Sequence, residues 1–139
     1  MRDRTAKNLS TLHTGLYRLT RGRIGRRLVN NDMLLLSTTG RVSGKTHTVP
    51  LLYLQDGDDL VVIASWGGRD DHPQWYLNLV ADPQAVAQTD GARFPVEART
   101  ADAARRARLW PQVLAAYDGY RQYQDKTDRE IPIVILSDS

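Results

Sequence analysis

Apolar positions in this chain cluster in short runs, and glycine, proline and aspartate divide the runs from one another. Met33 to Thr38 is such a run and reads as a first strand, with a polar loop over Gly40 to Gly44 after it. Thr46 to Gln55 is apolar and β-branched and predicts a second strand. Asp56-Gly57 with Asp58-Asp59 is a hairpin signal. Leu60 to Trp66 reads as a third strand, nearly continuous in apolar character and so predicted to be buried on both faces. Gly67-Gly68 ends it. Asp70 or Asp71 is the expected cap of a short helix over Gln74 to Ala81, with Pro73 in its first turn and Pro83 beyond its end. Gln84 to Gln88 and Ala92 to Ala98 predict two strands across Asp90-Gly91. Thr100 is the expected cap of a helix over Ala101 to Ala116, which Pro111 would kink, and a short helical piece bearing Tyr117, Tyr120 and Tyr123 follows. Ile131 to Leu136 is the last expected strand, and Pro132 within it suggests an edge position or a strand start.

Ahead of these elements, Leu9, Leu12, Leu16 and Leu19 recur at spacings of three and four, with Tyr17 nearby. That period predicts an amphipathic helix over residues 5–21, ended by Gly22 and Gly25. Six short strands, two tight hairpins and helices between strands predict an α+β domain built on a small antiparallel barrel with peripheral helices. Most strand-to-strand links are too short for the crossovers of a parallel sheet. The expected organisation is a basic helical segment over residues 1–30 and one barrel domain over 31–139.

Composition narrows the chemistry. The 139 residues, 41% of them apolar, are enough for one core. With no cysteine, disulfides, thiolate nucleophiles, zinc–thiolate sites and iron–sulfur clusters are excluded. His13, His47 and His72 are far apart in sequence, and no metal is expected. No apolar run has the length of a membrane span and no signal-peptide core is present, so a cytoplasmic location is expected. The net charge of +3 hides an asymmetry: residues 1–30 carry Arg2, Arg4, Lys7, Arg18, Arg21, Arg23, Arg26 and Arg27 against Asp3 alone, and the remainder is net acidic. Such a segment is either a solvated helix face or an attractor for a polyanion, for example anionic lipid at the inner face of a membrane. Nucleic acid is not an expected partner.

Gly40-Arg41-Val42-Ser43-Gly44-Lys45-Thr46 imitates a P-loop, which needs four residues between its glycines where this chain has three. A P-loop also needs a helix after its Lys-Thr, so that N–H groups face the phosphates. Here a strand follows, and a nucleotide triphosphatase is excluded.

Four motifs in fixed order carry a resemblance. They are Leu36-Ser37-Thr38-Thr39-Gly40-Arg41-x-Ser43-Gly44, Pro50-Leu51-x-Tyr53, Ala64-Ser65-x-Gly67-Gly68 and Pro73-x-Trp75-Tyr76-x-Asn78-Leu79. Leu109-Trp110-Pro111, the three tyrosines 117, 120 and 123, and Thr127-Asp128-Arg129-x-Ile131-Pro132 continue it. Over roughly residues 30–137 the chain resembles the deazaflavin (coenzyme F420)-dependent nitroreductases, also called F420H2-dependent quinone reductases, of actinobacteria. The resemblance implies a split β-barrel of the FMN-binding type. It implies reduced F420 as hydride donor to a small-molecule acceptor: a quinone, a nitroaromatic or an activated enone. The chain would be a monomer or a homodimer.

The same resemblance distributes roles. F420 has a flat ring, a ribityl phosphate and an acidic tail. Arg41, Val42, Ser43, Gly44, His47 and Thr48 would meet the anionic part; without the resemblance the same loop reads as a solvated polar hairpin. Val49, Pro50, Leu51 and Leu52 on the second strand would bind the cofactor as well, and Ile63, Ala64, Ser65 and Trp66 at the end of the third would contact the ring. Trp75, Tyr76, Leu77 and Asn78 would close the site, although Trp75 reads equally as a core aromatic. Tyr117, Tyr120 and Tyr123 would form the substrate pocket, or a core stripe. Tyr120 and Ser65 are the expected catalytic residues, Tyr120 by orienting the acceptor and polarising it through a hydrogen bond. Three positions depart from the family pattern: Val42, His47 and Trp66 stand where a lysine, an arginine and a lysine are common. Rival readings are an FMN- or haem-using enzyme on the same barrel, and a non-catalytic binder of F420 or of a lipid-like ligand.

Overall fold

The computed structural model describes residues 33–139. The expected helix over 5–21 and the basic segment 1–30 lie outside the described residues. The strands are β1 (Met33–Thr39), β2 (Thr46–Leu52), β3 (Leu54–Asp56), β4 (Asp59–Ile63), β5 (Gln84–Thr89), β6 (Ala92–Thr100) and β7 (Ile133–Asp138). The helices are α1 (Gln74–Ala81), α2 (Ala103–Ala116) and α3 (Gly119–Asp125), with a 3-10 turn over Trp66–Gly68. All neighbouring strands are antiparallel, in the order β2-β1-β5-β6-β7-β4-β3. This is the α+β architecture the pattern predicts, split-barrel-like as the resemblance implies, with seven strands instead of six and the sheet not closed.

The additional strand comes from Tyr53. The expected strand over 46–55 is interrupted at this residue, and its two halves pair with opposite ends of the sheet: β2 with β1, β3 with β4. The two edges of the sheet are therefore adjacent in sequence, one residue apart, and the sheet must curl until they meet. Tyr53 is 2% exposed at the bend, its hydroxyl 3.3 Å from Thr89 Oγ1 on β5. No ladder joins β2 to β4 across the remaining gap, so the barrel stays open along one seam.

Two apolar layers follow from strand alternation. Leu60, Val62, Val134 and Leu136 face the barrel interior with Leu34, Leu36, Phe94 and Val96. Val61, Ile63, Ile133 and Ile135 point the other way, against Leu109 and Val113 of α2 and Tyr120 of α3. Strands β4 and β7 are thus covered on both faces, as the unbroken apolar run over Leu60 predicts. Strand β7 lies between β6 and β4 in mid-sheet. An edge position for Pro132 is therefore wrong; it immediately precedes the strand, and its carbonyl accepts from the Ala64 amide at 3.0 Å.

Local signals misplace three boundaries. Helix α1 is capped by Pro73 without a side-chain bond, so neither Asp70 nor Asp71 caps it. Helix α2 is capped by Asp102, which accepts from the Arg105 amide at 2.8 Å, and not by Thr100, which still belongs to β6. The helix runs through Pro111. The third strand stops at Ile63, because the chain turns at Trp66, Gly67 and Gly68 with φ of 45°, 64° and 81°. Among the described residues no helix is long and apolar enough to cross a membrane.

Gly68 sets how closely α3 can approach. A Cβ there would lie 2.6 Å from the Tyr123 carbonyl oxygen, whereas a Cβ at Gly67 would meet nothing within 4 Å. Gly67→Ala should therefore cost only the left-handed backbone penalty, roughly 1–2 kcal/mol. Gly68→Ala adds the displacement of α3, about 1–3 kcal/mol more. Urea unfolding gives both values, and the tyrosine signal in near-ultraviolet circular dichroism should change for Gly68→Ala alone.

On the far side of the sheet, Asp56 ties the β3–β4 hairpin to α2 through Arg105 at 2.9 Å and Arg108 at 2.9 Å, and Arg105 also meets Asp59 at 2.8 Å. The hydrogen bonds from Arg108, ahead of those from Arg105, hold the Asp56 carboxyl below its ordinary value of 3.8, with burial opposing them. A lowered folded value means that the contribution is full above about pH 4 and lost as pH falls through the folded value. Asp56→Asn should cost about 0.5–1 kcal/mol at pH 7, the range of a partly exposed pair. The difference from wild type in urea midpoint should vanish as the carboxyl protonates.

Candidate functional site

The open seam is where the larger cavity lies, about 580 Å³ in volume. One wall is β2, from Val49 to Leu52, with Met33; the other is the end of β4 and the turn after it, Ile63, Ser65, Trp66 and Gly67. Pro73, Gln74 and Trp75 of the α1 entry and the three tyrosines complete it. A second cavity of about 400 Å³ lies under the loop after β1, lined by Gly40, Arg41, Val42, Ser43, His47, Val49, Gln74, Trp75 and Asn78. Val49, Gln74 and Trp75 border both, so the two cavities adjoin, with Trp75 between them. Trp75 is 8% exposed and belongs to the barrel core as well, so the core and cleft readings of this residue hold together.

The loop over Gly40 to Gly44 is held by its own backbone and by α1. The Gly40 amide donates to the Lys45 carbonyl at 2.8 Å and the Gly44 amide to the Gly40 carbonyl at 2.8 Å, with Gly44 at a φ of 74°. Buried Asn78 anchors it: Oδ1 accepts from the Arg41 amide at 3.2 Å and from Arg41 Nη1 at 2.9 Å, while Nδ2 donates to Thr38 Oγ1 at 3.2 Å. Arg41 Nη2 donates to Gln74 Oε1 at 2.9 Å. Both partners of the guanidinium are neutral amides. Among the described residues no carboxylate pairs with Arg41 or Lys45, so the positive charge at this end is not cancelled locally. His47 Nε2 is 3.4 Å from Ser43 Oγ, and a Cβ at Gly40 would lie 2.7 Å from the same nitrogen. Val42 is 92% exposed at the loop tip.

The tyrosines converge on the opposite end. Tyr117 sits in the link that ends α2, and only Tyr120 and Tyr123 are on α3, so the three do not share one helix face. They meet across the break between the two helices: Tyr117 is extended, with φ −155° and ψ 101°, and a Cβ at Gly119 would lie 2.8 Å from its ring. Ring centroids are 5.1 Å apart for Tyr117 and Tyr120 and 6.0 Å for Tyr120 and Tyr123, edge to face. The hydroxyls of Tyr117 and Tyr123 are 3.4 Å apart. That bond raises Tyr123 above its ordinary value. Burial, followed by its two neighbours, pushes Tyr120 up to about 12.

Of the expected site residues, Gly44, Thr48, Ala64, Tyr76 and Leu77 line neither cavity. Thr48 bonds Ser37 across the ladder at 2.7 Å. Ala64 is fully buried in the barrel core. Tyr76 is on another side of α1, bonding Thr100 Oγ1 at 2.7 Å. Sequence reasoning omits Met33, Gly67, Pro73 and Gln74, which line the cleft, and Arg129, which braces it from behind. Gln74 had a legible signal, since it follows Pro73 at a helix start. Arg129 had none beyond its place in the Thr127–Pro132 motif.

Comparison with known proteins places the chain among relatives of one family. The family described as F420H2-dependent quinone reductase matches residues 9–138. A putative F420H2-dependent quinone reductase of Mycobacterium tuberculosis is 43% identical over 103 residues, 74% of this chain and 87% of its own length. A second M. tuberculosis protein, named F420H2-dependent quinone reductase, is 39% identical over 134 residues, covering 93% and 89%. The solved structure of an F420-H2 dependent reductase, FDR-A, superposes with a TM-score of 0.70 at 36% identity, covering 76% of this chain and 94% of its own. A heme storage protein, HutZ from Vibrio cholerae, shares the fold at a TM-score of 0.63 and 13% identity, a likeness of fold alone. With the motifs, the cleft and these matches in agreement, the chain belongs to the F420H2-dependent quinone reductase family.

Proposed function

We propose that this chain is an F420H2-dependent reductase that passes a hydride to a small electron-poor acceptor, and that the cleft of two adjoining cavities is its site. The observation that carries the reading is the junction of two spaces of opposite character at Trp75. A slot walled by β2 and the Ser65–Gly67 turn adjoins an annex where Arg41 has no carboxylate partner among the described residues.

The donor set fits the cofactor. A flat ring requires a slot with apolar walls, and 580 Å³ lies in the range of small-molecule sites. A phosphate and an acidic tail require cations and hydroxyl or amide donors, which Arg41, Ser43 and His47 offer at the annex. The charges missing at Val42 and Trp66 leave Arg41 as the main fixed cation there. Its two amide partners preorganise the guanidinium without neutralising it. Bound F420H2 supplies the hydride. The chain supplies position: Ser65 and Trp66 on one wall, Val49 to Leu52 on the other, and the tyrosines over the place an acceptor would take. Tyr120 orients the acceptor by donating a hydrogen bond, and its raised value makes it a poor source of the proton, which then comes from water.

Titration of the purified protein with F420 should give a Kd at or below roughly 10 μM. F420H2 should be oxidised in the presence of a quinone or nitroaromatic panel. Absence of both would overturn the reading, and protein that purifies loaded with flavin or haem would favour the rival enzymes. Tyr120→Phe should lower kcat/KM for the acceptor by about tenfold to a hundredfold, the worth of one hydrogen bond made in the transition state, with F420 affinity unchanged. A phenol that titrates near 12 stays protonated across the working range, so Tyr120 should contribute no alkaline limb to the kcat/KM profile below about pH 10. A limb that appears near pH 9 in wild type and vanishes in Tyr120→Phe would contradict this.

A further inference from the structure

The turn that forms one wall of the cleft is strained, and a single side chain spans it. Trp66 is a non-glycine residue at a φ of 45°, followed by two glycines in the same region. Such backbone persists only where its surroundings hold it in place. The ladder does not hold it, because β4 ends at Ile63 and no strand pairs with the residues beyond. The turn has its own bonds, from the Gly68 amide to the Ser65 carbonyl at 2.9 Å and from the Arg69 amide to the Trp66 carbonyl at 3.2 Å, and Gly68 packs on α3; Arg129, which precedes β7, is the side chain that ties both ends of the turn together. Its Nη1 donates to the Ala64 carbonyl at 3.2 Å, its Nη2 to the Ser65 carbonyl at 2.7 Å and its Nε to the Arg69 carbonyl at 2.7 Å. One guanidinium thus brackets the turn from both sides.

The bracket is itself fixed. The Arg129 amide donates to Thr127 Oγ1 at 3.3 Å, and its carbonyl accepts from Gln124 Nε2 of α3 at 2.7 Å. Nη1 also lies 2.9 Å from His72 Nδ1. Arginine only donates, so this nitrogen of His72 is the acceptor and the ring is neutral. Burial, followed by the charge of Arg129, lowers the His72 value and keeps it so, with Asp71 opposing. A carboxylate at 72 would bind Arg129 more tightly but would cancel its charge beside the cleft; a neutral imidazole occupies the guanidinium without neutralising it.

We propose that Arg129 is a positioning residue for hydride transfer: its guanidinium fork fixes the Ser65–Gly67 wall of the cleft in the geometry that sets the cofactor ring against the acceptor. This rests on the F420 reading, and it assigns the turn's geometry to a side chain that does not line either cavity. Lysine at this position would keep a charge but could not reach three carbonyls spread over six residues. Methionine would keep volume and lose every bond.

The experiment compares wild type, Arg129→Lys and Arg129→Met. In the protein without cofactor, amide exchange at residues 65–70 should be about tenfold faster in both variants, with β7 unchanged. In the loaded enzyme, Arg129→Lys should lower kcat by about tenfold or more while the Kd for F420 changes less than about threefold, the signature of lost orientation and not of lost affinity. Exchange that rises equally in the turn and in β7 would make Arg129 a general stabiliser and overturn the proposal. Wild-type exchange and kinetics in Arg129→Met would overturn it as well. If wild-type protein neither binds nor oxidises F420H2, the functional reading falls, and exchange in the unloaded protein still decides whether Arg129 holds the turn.

Discussion

A sheet whose two edges are adjacent halves of one segment has to curl, and everything about the site follows from where that curl fails to close. Tyr53 separates β2 from β3 by one residue, so the sheet's first and last strands are fixed side by side. Closure is good at β3, which pairs with β4, and absent at β2, which does not. The buried tyrosine ring and its contact with Thr89 keep the bend inside the core. The cleft lies in the stretch left unpaired. It is therefore a consequence of the barrel's connectivity and not an invagination carved into a finished fold.

The site built on that seam divides its two tasks between two kinds of restraint. At the polar end, side-chain amides of Asn78 and Gln74 hold Arg41, so its charge is aimed but not cancelled. At the other end, close backbone approaches at Gly68 and Gly119 let α3 and the Tyr117 ring fold over the cleft. The first restraint depends on hydrogen bonds and the second on the absence of a Cβ. Losing either would change a different part of the proposed chemistry: affinity for the anionic part, or placement of the acceptor.

Much of this was legible in the sequence, for identifiable reasons. Burial of Leu60 to Ile63 on both faces, the hairpin at Asp90-Gly91 and the strand after the false P-loop are local properties, carried by side chains next to one another. The family motifs include part of the cleft's lining, Pro50, Leu51, Ser65 and Gly67. What was not legible is non-local. Nothing in the second strand's apolar pattern marks Tyr53 as the point where pairing switches partners, since both halves remain strand. Asp70 and Asp71 have cap chemistry, but the helix starts beyond their reach at Gln74. The tyrosine spacing suggests one helix face, yet the helix breaks at Tyr117, whose backbone is extended, and the rings meet across that break. Arg129 reaches backbone some sixty residues earlier, a distance no window of sequence spans.

The unpaired seam also bears on how such a barrel can change what it binds. In a closed barrel, widening the interior means altering strand number or stagger, and every rung of the ladder must adjust together. Here, among the described residues, β5 is the one strand outside the β1–β2 hairpin that pairs with it, and no rung crosses from β2 to β4. The slot between them is bounded by side chains and not by rungs, so its width can be reset with no rung broken. A scaffold open in this way is free to take new ligands by substitution along β2 and the turn after β4, with the ladder left as it is.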